Sequence, residues 1–231
     1  RLKKYNTDFS DKNFFLLKTN YKNFKKNKEN YLLLSTSGTT QSPKFVRLSH
    51  KNVINNTNDI IKYLKINSKH TTITTMPMAY SYGLSILNTH LHSGATIIIN
   101  KKTIFDRSFW SLFKKHKITS FGGVPQFYEN LKKIRFDKLK FKYLKYITQA
   151  GGKVEDSTLK YLGQSCKKMN IMLYIMYGQT EASPRMSYLK WKNFFLKYGS
   201  IGQPLIGCSF RIINEKDQII KKPNIVGELI F

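Results

Sequence analysis

Three short segments of the sequence combine glycine and hydroxyl residues in a way that suits a phosphorylated ligand. They are Thr36–Thr40 (TSGTT), Gln149–Gly152 (QAGG) and Tyr177–Glu181 (YGQTE). The first offers four hydroxyls and a glycine that lets backbone N–H groups approach an anion, and Lys44 follows closely. It is not a Walker loop, because no G-x-x-x-x-G-K-[ST] motif occurs. Taken alone, such a segment is more often only a solvated turn.

The other two segments also allow a functional and a structural interpretation. Glu181, expected just inside a helix start, either holds Mg2+ through its carboxylate oxygens or is simply favoured there by the helix dipole. The Gly151-Gly152 pair either admits a flat ring against the backbone or ends a strand. On the residues alone these alternatives stay open.

The elements that must position these segments follow from hydrophobic periodicity and from cap residues. Ser49 and Asp106 suit helix starts, Pro125 a first helical turn, and Gly94 a helix end. The predicted strands cover 31–35, 44–48, 71–76, 95–99, 118–121, 144–148 and 171–176. The predicted helices cover 50–65, 83–92, 107–116, 126–134 and 156–168.

Strands that alternate with helices of this length predict an α/β fold class, with a mainly parallel sheet and covering helices on both faces. Residues 1–30 form a basic polar connector in this interpretation, most clearly at Asn20–Asn30. Residues 31–190 form the α/β core, and 191–231 start a small β-rich subdomain. In such sheets ligands bind at the carboxyl ends of strands, so the three segments are expected to meet on one rim.

Composition narrows the class of protein. The 231 residues are 41% hydrophobic and 14% aromatic, which argues against a disordered chain despite a formal charge of +27. The charge comes from 34 Lys and only six Arg, beside abundant Asn, Ile, Tyr and Phe, as A/T-rich codons produce. Nucleic-acid readers favour Arg, so we expect no specific nucleic-acid partner. No apolar run approaches the roughly 20 residues of a membrane span, and we expect a cytoplasmic protein.

Two further candidates are set aside. His90 and His92 are two positions apart on a predicted helix and point away from each other, so a metal pair is not expected there. Cys166 and Cys208 are expected to be packing residues rather than reactive thiols or a disulfide framework.

Taken in order, six segments resemble signatures of the adenylate-forming superfamily, which contains acyl-CoA synthetases, amino-acid adenylation domains and luciferases. The resemblance extends from about residue 31 to the end of the chain. The matching segments are Leu34–Lys44 (LSTSGTTQSPK), Pro77–Gly83 (PMAYSYG), Gln149–Gly152, Tyr177–Glu181, Gly199–Pro204 (GSIGQP) and Gly227–Leu229 (GEL).

The resemblance implies a role for each candidate residue. Thr36, Ser37, Gly38, Thr39, Thr40 and Lys44 would hold the β- and γ-phosphates of ATP. Gly151, Gly152 and Tyr177 would flank adenine, with Gly178 and Gln179 in the same nucleotide-binding signature. Thr180 would contact the α-phosphate and Glu181 would bind Mg2+. Lys44, Thr180 and Glu181 would be the catalytic set, and Tyr80, Tyr82 and Gly83 would lie at the acid's pocket, with Tyr80 in place of the family's histidine.

The reaction that the resemblance implies joins a small carboxylic acid to AMP, with release of pyrophosphate, and then transfers the acyl group to CoA or to an acyl-carrier protein's phosphopantetheine. No Asp lies in Pro77–Gly83, which favours an acid without an α-amino group. Gln41 stands where the family usually has glycine, so an inactive nucleotide-binding relative stays an alternative, and a basic nucleic-acid-binding module is a weaker one. The ribose-binding segment and the C-terminal lid domain with its lysine are expected beyond Phe231.

Overall fold

The computed structural model describes residues 6–11, 14–18, 31–36 and 44–231, and its largest feature is a mixed sheet. Five helices accompany thirteen strands in this part of the chain. The helices are α1 (His50–Leu64), α2 (Ser81–His92), α3 (Arg107–Lys115), α4 (Pro125–Lys133) and α5 (Asp156–Lys168). The strands are β1 (Asn6–Asp11), β2 (Phe14–Lys18), β3 (Leu32–Ser35), β4 (Phe45–Leu48), β5 (Thr71–Ile73), β6 (Thr96–Ile98), β7 (Ser120–Gly123), β8 (Tyr146–Gln149), β9 (Met172–Tyr177), β10 (Ser187–Leu189), β11 (Gln203–Pro204), β12 (Arg211–Ile213) and β13 (Glu228–Ile230).

The main sheet has seven strands in the spatial order β11-β10-β9-β8-β7-β5-β6. All neighbours from β6 to β9 are parallel, whereas β10 and β11 add an antiparallel edge. The pairs β1–β2, β3–β4 and β12–β13 form separate antiparallel sheets. The predicted α/β class, with a mainly parallel sheet and short β-strands toward the C-terminal end, is confirmed. The β1–β2 pair falls in the segment predicted as a connector, and Asn20–Asn30 lies outside the described residues.

Helices cover both faces of the main sheet. On one face, α3, α4 and α5 bury a continuous apolar cluster that includes Phe109, Tyr128 and Leu162. On the other face, α1 and α2 pack against the sheet through residues such as Ile60 and Tyr82. Each fully buried aliphatic or aromatic side chain contributes roughly 1.5–3 kcal/mol to folding, which makes this double layer the main source of stability.

Local signals fix several helix ends. The Ser49 side chain accepts a hydrogen bond from the backbone N–H of Asn52, and the Asn52 side chain in turn accepts one from the Ser49 backbone N–H. Pro125 occupies the first turn of α4, and Gly94, just after α2, has a φ of +64°. These predicted starts and ends are therefore confirmed.

Two elements differ from the prediction because tertiary contacts outweigh local preference. β7 begins at Ser120 and runs through Gly122 and Gly123, although glycine disfavours strands, because β5 and β8 pair with it on both sides. The helix expected at Glu181 is only a single 3₁₀ turn, Thr180–Ala182. It ends at once because Ser183 is left-handed, with a φ of +68°, and precedes Pro184, which disfavours a helical residue before it. Among the described helices, none has the length and apolar character that crossing a membrane requires.

Candidate active site

Two of the three predicted segments leave the main sheet side by side. Gln149–Gly152 follows β8 and Tyr177–Glu181 follows β9, and these strands are parallel neighbours with Gln149 opposite Ile175. Ala150 and Met176, at the ends of the two strands, belong to one buried cluster. The carboxyl edge of the sheet therefore presents both segments to the same region, as predicted.

The first segment reaches this region by a different route from the one predicted. β3 and β4, which flank Thr36–Thr40, form an antiparallel hairpin outside the main sheet, and the Thr36 N–H donates to the Lys44 carbonyl at 3.0 Å. β4 lies against the 3₁₀ turn Thr180–Ala182, so this strand of the hairpin is next to the third segment. Ser37, Gly38, Thr39, Thr40 and Gln41 lie outside the described residues.

The two charged candidates on this rim are open to solvent. Lys44 and Glu181 are both exposed, and neither takes part in any of the three ion pairs found within the described residues. An exposed carboxylate and an exposed ammonium without salt-bridge partners cost little to present to a ligand. The Glu181 carboxylate is thus available to a cation, and the Lys44 ammonium is available to phosphate oxygens.

The backbone of the third segment turns back sharply on itself. A Cβ on Gly178 would collide with the carbonyl of Pro184, so only glycine allows the two strands of this turn to approach. From α1, the Asn56 amide donates to the Arg185 carbonyl at 2.8 Å and to the Ala182 carbonyl at 3.4 Å, and its oxygen accepts from the Arg185 N–H. Asn56 is buried and holds the turn from the side of the helix.

The paired glycines adopt conformations that other residues avoid. Gly151 has a φ of +81° and Gly152 one of +143°, and both are exposed. The buried Gln149 side chain donates to the Gly152 carbonyl at 2.7 Å and folds the segment back over the end of β8. The result is an exposed stretch of backbone without side chains, on which a flat ring can lie.

The residues predicted at the acid's pocket separate into two environments. Tyr80, just before α2, is exposed. Tyr82 is buried, and its hydroxyl donates to the Thr148 carbonyl at 2.7 Å, while burial raises the pKa of the phenol and keeps it protonated. Gly83 has no room for a Cβ because the Pro77 carbonyl lies against it. The neighbouring Ser81 hydroxyl is 3.2 Å from the Thr180 hydroxyl, which joins this segment to the third one.

A groove of about 570 Å³ lies beside the third segment. Tyr177, Gln179 and Glu181 line it, together with Asn52 and Asn55 of α1 and the chain around β13. Gly151, Gly152 and Lys44 are not part of its lining. Cys208 lines the groove and is exposed, so the expectation of a packing role is wrong for this cysteine, which follows a turn at Gly207.

Of the remaining sequence candidates, Cys166 and His90 belong to the core. Cys166 is buried on α5, and burial raises the pKa of its thiol to about 12, as expected for a packing residue. His90 is buried and its Nδ1 lies 2.8 Å from the Ile86 carbonyl, whereas His92 is exposed. No cluster of three or more His, Cys, Asp or Glu that could hold a metal occurs in the described residues.

Sequence reasoning missed two buried polar residues at the site, Asn56 and Arg185. Asn56 interrupts the apolar stripe of α1 between Val53 and Ile60, and a polar residue on such a stripe is a detectable signal. Arg185 stands in a stretch that is buried throughout from Pro184 to Leu189, where a long cation is unexpected.

Comparisons with known proteins find related CoA ligases. The chain is 28% identical over 203 residues to oxalate–CoA ligase of Saccharomyces cerevisiae, covering 86% of this chain and 35% of that protein. It is 28% identical over 204 residues to 2-succinylbenzoate–CoA ligase of Bacillus cereus, covering 88% of this chain and 41% of that protein. The chain thus spans well under half the length of these curated relatives.

A solved structure shares the fold. O-succinylbenzoate coenzyme A synthetase (MenE) from Bacillus subtilis, in complex with ATP and magnesium ion, superposes with a TM-score of 0.74 at 23% identity, covering 85% of this chain and 40% of that one. The sequence profile described as AMP-binding enzyme matches residues 3–231, almost the whole chain. The chain therefore belongs to the AMP-binding enzyme family.

Proposed function

We propose that these residues form part of an enzyme that activates a carboxylic acid with ATP. The carboxylate would be converted to an acyl-adenylate with release of pyrophosphate, and the intact protein would then transfer the acyl group to the thiol of CoA or of a carrier protein's phosphopantetheine. The observation that carries the proposal is the β8–β9 pairing, which starts Gln149–Gly152 and Tyr177–Glu181 side by side, and the contact of β4 with the turn at Thr180 supports it. Family membership and the names of the related CoA ligases support it.

The nucleotide would lie across this edge of the sheet. The bare backbone of Gly151 and Gly152 would support adenine, with Tyr177, Gly178 and Gln179 on the neighbouring loop. Thr180 would contact the α-phosphate through its half-buried hydroxyl, which lies 3.2 Å from the Ser81 hydroxyl. Lys44 and the segment that precedes it, Thr36–Thr40, would hold the β- and γ-phosphates.

The single carboxylate of Glu181 suits Mg2+ better than it suits a metal ion that takes all of its ligands from protein side chains. Glu181 offers one exposed carboxylate, and no larger cluster of ligating side chains accompanies it within the described residues. Mg2+ usually binds to one or two carboxylates and takes its other ligands from water and phosphate. When bound, the ion would neutralise negative charge on the phosphates and on the departing pyrophosphate.

The chemistry requires two anions to react with each other. A carboxylate oxygen attacks the α-phosphorus, a new P–O bond forms, and the bond from that phosphorus to the bridging oxygen of pyrophosphate breaks. The Lys44 ammonium would reduce the repulsion between the reactants, and the loops would hold them in line. In the second step a thiolate attacks the acyl carbon and AMP leaves. Neither step needs a covalent intermediate on a protein side chain.

The test is carboxylate-dependent exchange of labelled pyrophosphate into ATP, measured on the intact protein with a panel of acids. Lys44→Ala and Glu181→Gln should each lower the exchange rate about tenfold or more, because each removes charge stabilisation at the phosphates. Lys51→Ala and Glu215→Gln change equally exposed residues elsewhere and serve as matched controls.

The outcomes separate the candidate functions. If both site variants fold and keep the wild-type rate of pyrophosphate exchange, the result would count against the proposal. MgATP binding by calorimetry without exchange for any acid would indicate the inactive nucleotide-binding relative instead.

A further inference from the structure

A buried cation lies next to the candidate site without an anionic partner. The Arg185 side chain belongs to a residue that is only 4% exposed, and none of the ion pairs within the described residues includes it. Its Nε atom has no hydrogen-bond partner there either. Burying an uncompensated charge is costly, so a guanidinium held in this way is prepared to receive an anion.

The surroundings of Arg185 stabilise the cation without neutralising it. The guanidinium lies 4.2 Å from the centre of the Tyr82 ring, and Nη2 donates to the Ser85 hydroxyl at 3.1 Å. Beside it is a cavity of about 20 Å³, which holds roughly one water molecule or one oxygen of a carboxylate. Most of the cavity wall is apolar, but the buried hydroxyl of Tyr146 there also lacks a partner within the described residues.

Helix α2 fixes the position of Arg185 relative to the proposed reaction centre. Ser81 and Ser85 are four residues apart and therefore lie on one face, about one turn or roughly 6 Å from each other. Ser81 contacts Thr180 at one end of this face, and Ser85 contacts Arg185 at the other. The guanidinium thus lies about one helical turn inward from Thr180.

We infer that Arg185 recognises a second acidic group on the substrate, so that the activated acid is a short dicarboxylic acid of the malonate to glutarate range. The inference rests on the proposed function, which puts the reacting carboxylate beside Thr180. One oxygen of the distal carboxylate would then occupy the small cavity and accept a hydrogen bond from the unpartnered Nε–H of Arg185. Arg185 would therefore determine specificity rather than drive adenylate formation.

The alternative is that Arg185 is purely structural, held by its stacking on Tyr82. Exchange of labelled pyrophosphate by the intact protein distinguishes the two, with acids paired by carbon skeleton: malonate with propionate, succinate with butyrate, and glutarate with valerate. For at least one pair, we expect kcat/KM to favour the diacid about tenfold or more. Arg185→Gln should lower that ratio about tenfold or more, whereas Arg107→Gln, an exposed arginine on α3, should leave it unchanged.

A binding measurement decides the matter even without turnover. The midpoint of thermal unfolding of the wild-type protein should rise with the preferred diacid and not with its paired monoacid, since only the diacid neutralises the buried charge. Arg185→Lys keeps the cation, should fold if Arg185→Gln does not, and should retain part of the diacid response.

Each result has a distinct meaning. Exchange that is equally fast or faster with the monoacids, or equal thermal shifts from both members of every pair, would overturn the inference and leave the proposed function standing. Absence of exchange with every acid would instead remove the proposed function, and the thermal shifts would still decide whether Arg185 binds a second carboxylate.

Discussion

Two glycines of the candidate site are required for different physical reasons. Gly151 has a φ of +81°, a left-handed conformation that costs other residues free energy whatever space surrounds them. Gly178 has ordinary backbone angles, but a Cβ there would collide with the Pro184 carbonyl. The first glycine exposes backbone at the end of β8, whereas the second lets the chain after β9 double back.

Gly178→Ala should therefore damage both stability and the site. The new methyl group meets backbone atoms that cannot rotate away, so the free energy of unfolding should fall by about 1–3 kcal/mol. The turn that carries Thr180 and Glu181 should shift, and nucleotide affinity should fall with it. Chemical denaturation and calorimetry with MgATP measure the two effects.

Gly207→Ala is the control for this change. Gly207 has a φ of +76°, and no other atom lies near the position that a methyl group would take on it. Alanine there should cost about 1 kcal/mol through backbone strain alone and should not alter nucleotide affinity. Wild-type stability and affinity in Gly178→Ala would contradict the steric explanation.

At the scale of elements, α1 contacts the candidate site through its buried residue Asn56. Asn56 lies one turn from the buried Ile60 and bonds to the turn at Ala182 and Arg185. The same helix follows the β3–β4 hairpin directly, and Leu48 of that hairpin packs against Val53. α1 therefore aligns the hairpin with the segment that carries Thr180 and Glu181.

Asn56→Ala should loosen this alignment. It leaves the Arg185 carbonyl and N–H without their side-chain partner in a buried place, which costs about 1–3 kcal/mol of unfolding free energy. Asn56 is a positioning residue, so KM for ATP should rise in the intact protein, and Asn56→Asp should restore only the bond from the Arg185 N–H. Lys51→Ala, exposed on the same helix and outside the groove, should change neither quantity, and an equal effect of both alanine variants would refute the positioning role.

The helices and strands that could be predicted from the sequence are those marked by cap residues or by hydrophobic periodicity. The helix that starts after Ser49 and the strands around Gln149 and Tyr177 carry such signals, because capping and hydrophobic periodicity act over a few residues. The antiparallel β3–β4 hairpin outside the main sheet was not predicted, since strand pairing depends on distant partners. The roles of Asn56 and Arg185 depend on contacts between residues a hundred or more positions apart, which periodicity cannot reveal.

At the scale of the whole molecule, most of the positive charge is carried by exposed lysines, whereas the buried His90 resists protonation. The exposed lysines make a chain of charge +27 adherent to polyanions in low salt. Inside, burial lowers the pKa of His90 to about 4, because the protonated ring would lose its hydration. The fold therefore opposes protonation of this ring, and its stability depends on pH.

The direction of that dependence follows from proton uptake. Between pH 6.5 and 4 the unfolded chain binds a proton at His90 that the folded chain does not, so stability contributed by the neutral ring is complete above pH 6.5 and is lost as pH falls to about 4. The loss amounts to about 3 kcal/mol. Free energies of unfolding measured from pH 4 to 7 should vary less steeply in His90→Gln than in the wild type.

His92→Gln, which changes an exposed histidine of the same helix, should keep the wild-type slope. The buried His70, whose pKa burial also lowers, adds to the slope in all three proteins and cancels in the comparison. Identical slopes for His90→Gln and wild type would show that the ring is protonated as easily in the folded state as in the unfolded one.

The bond between Asn56 and Arg185 joins residues 129 positions apart. During synthesis on the ribosome, α1 must therefore wait for most of the chain to emerge before its buried amide finds a partner. A nascent chain halted before residue 182 would already contain the apolar partners of α1, such as Leu48 and Tyr146, but its Asn56 amide would lack both of its carbonyl acceptors.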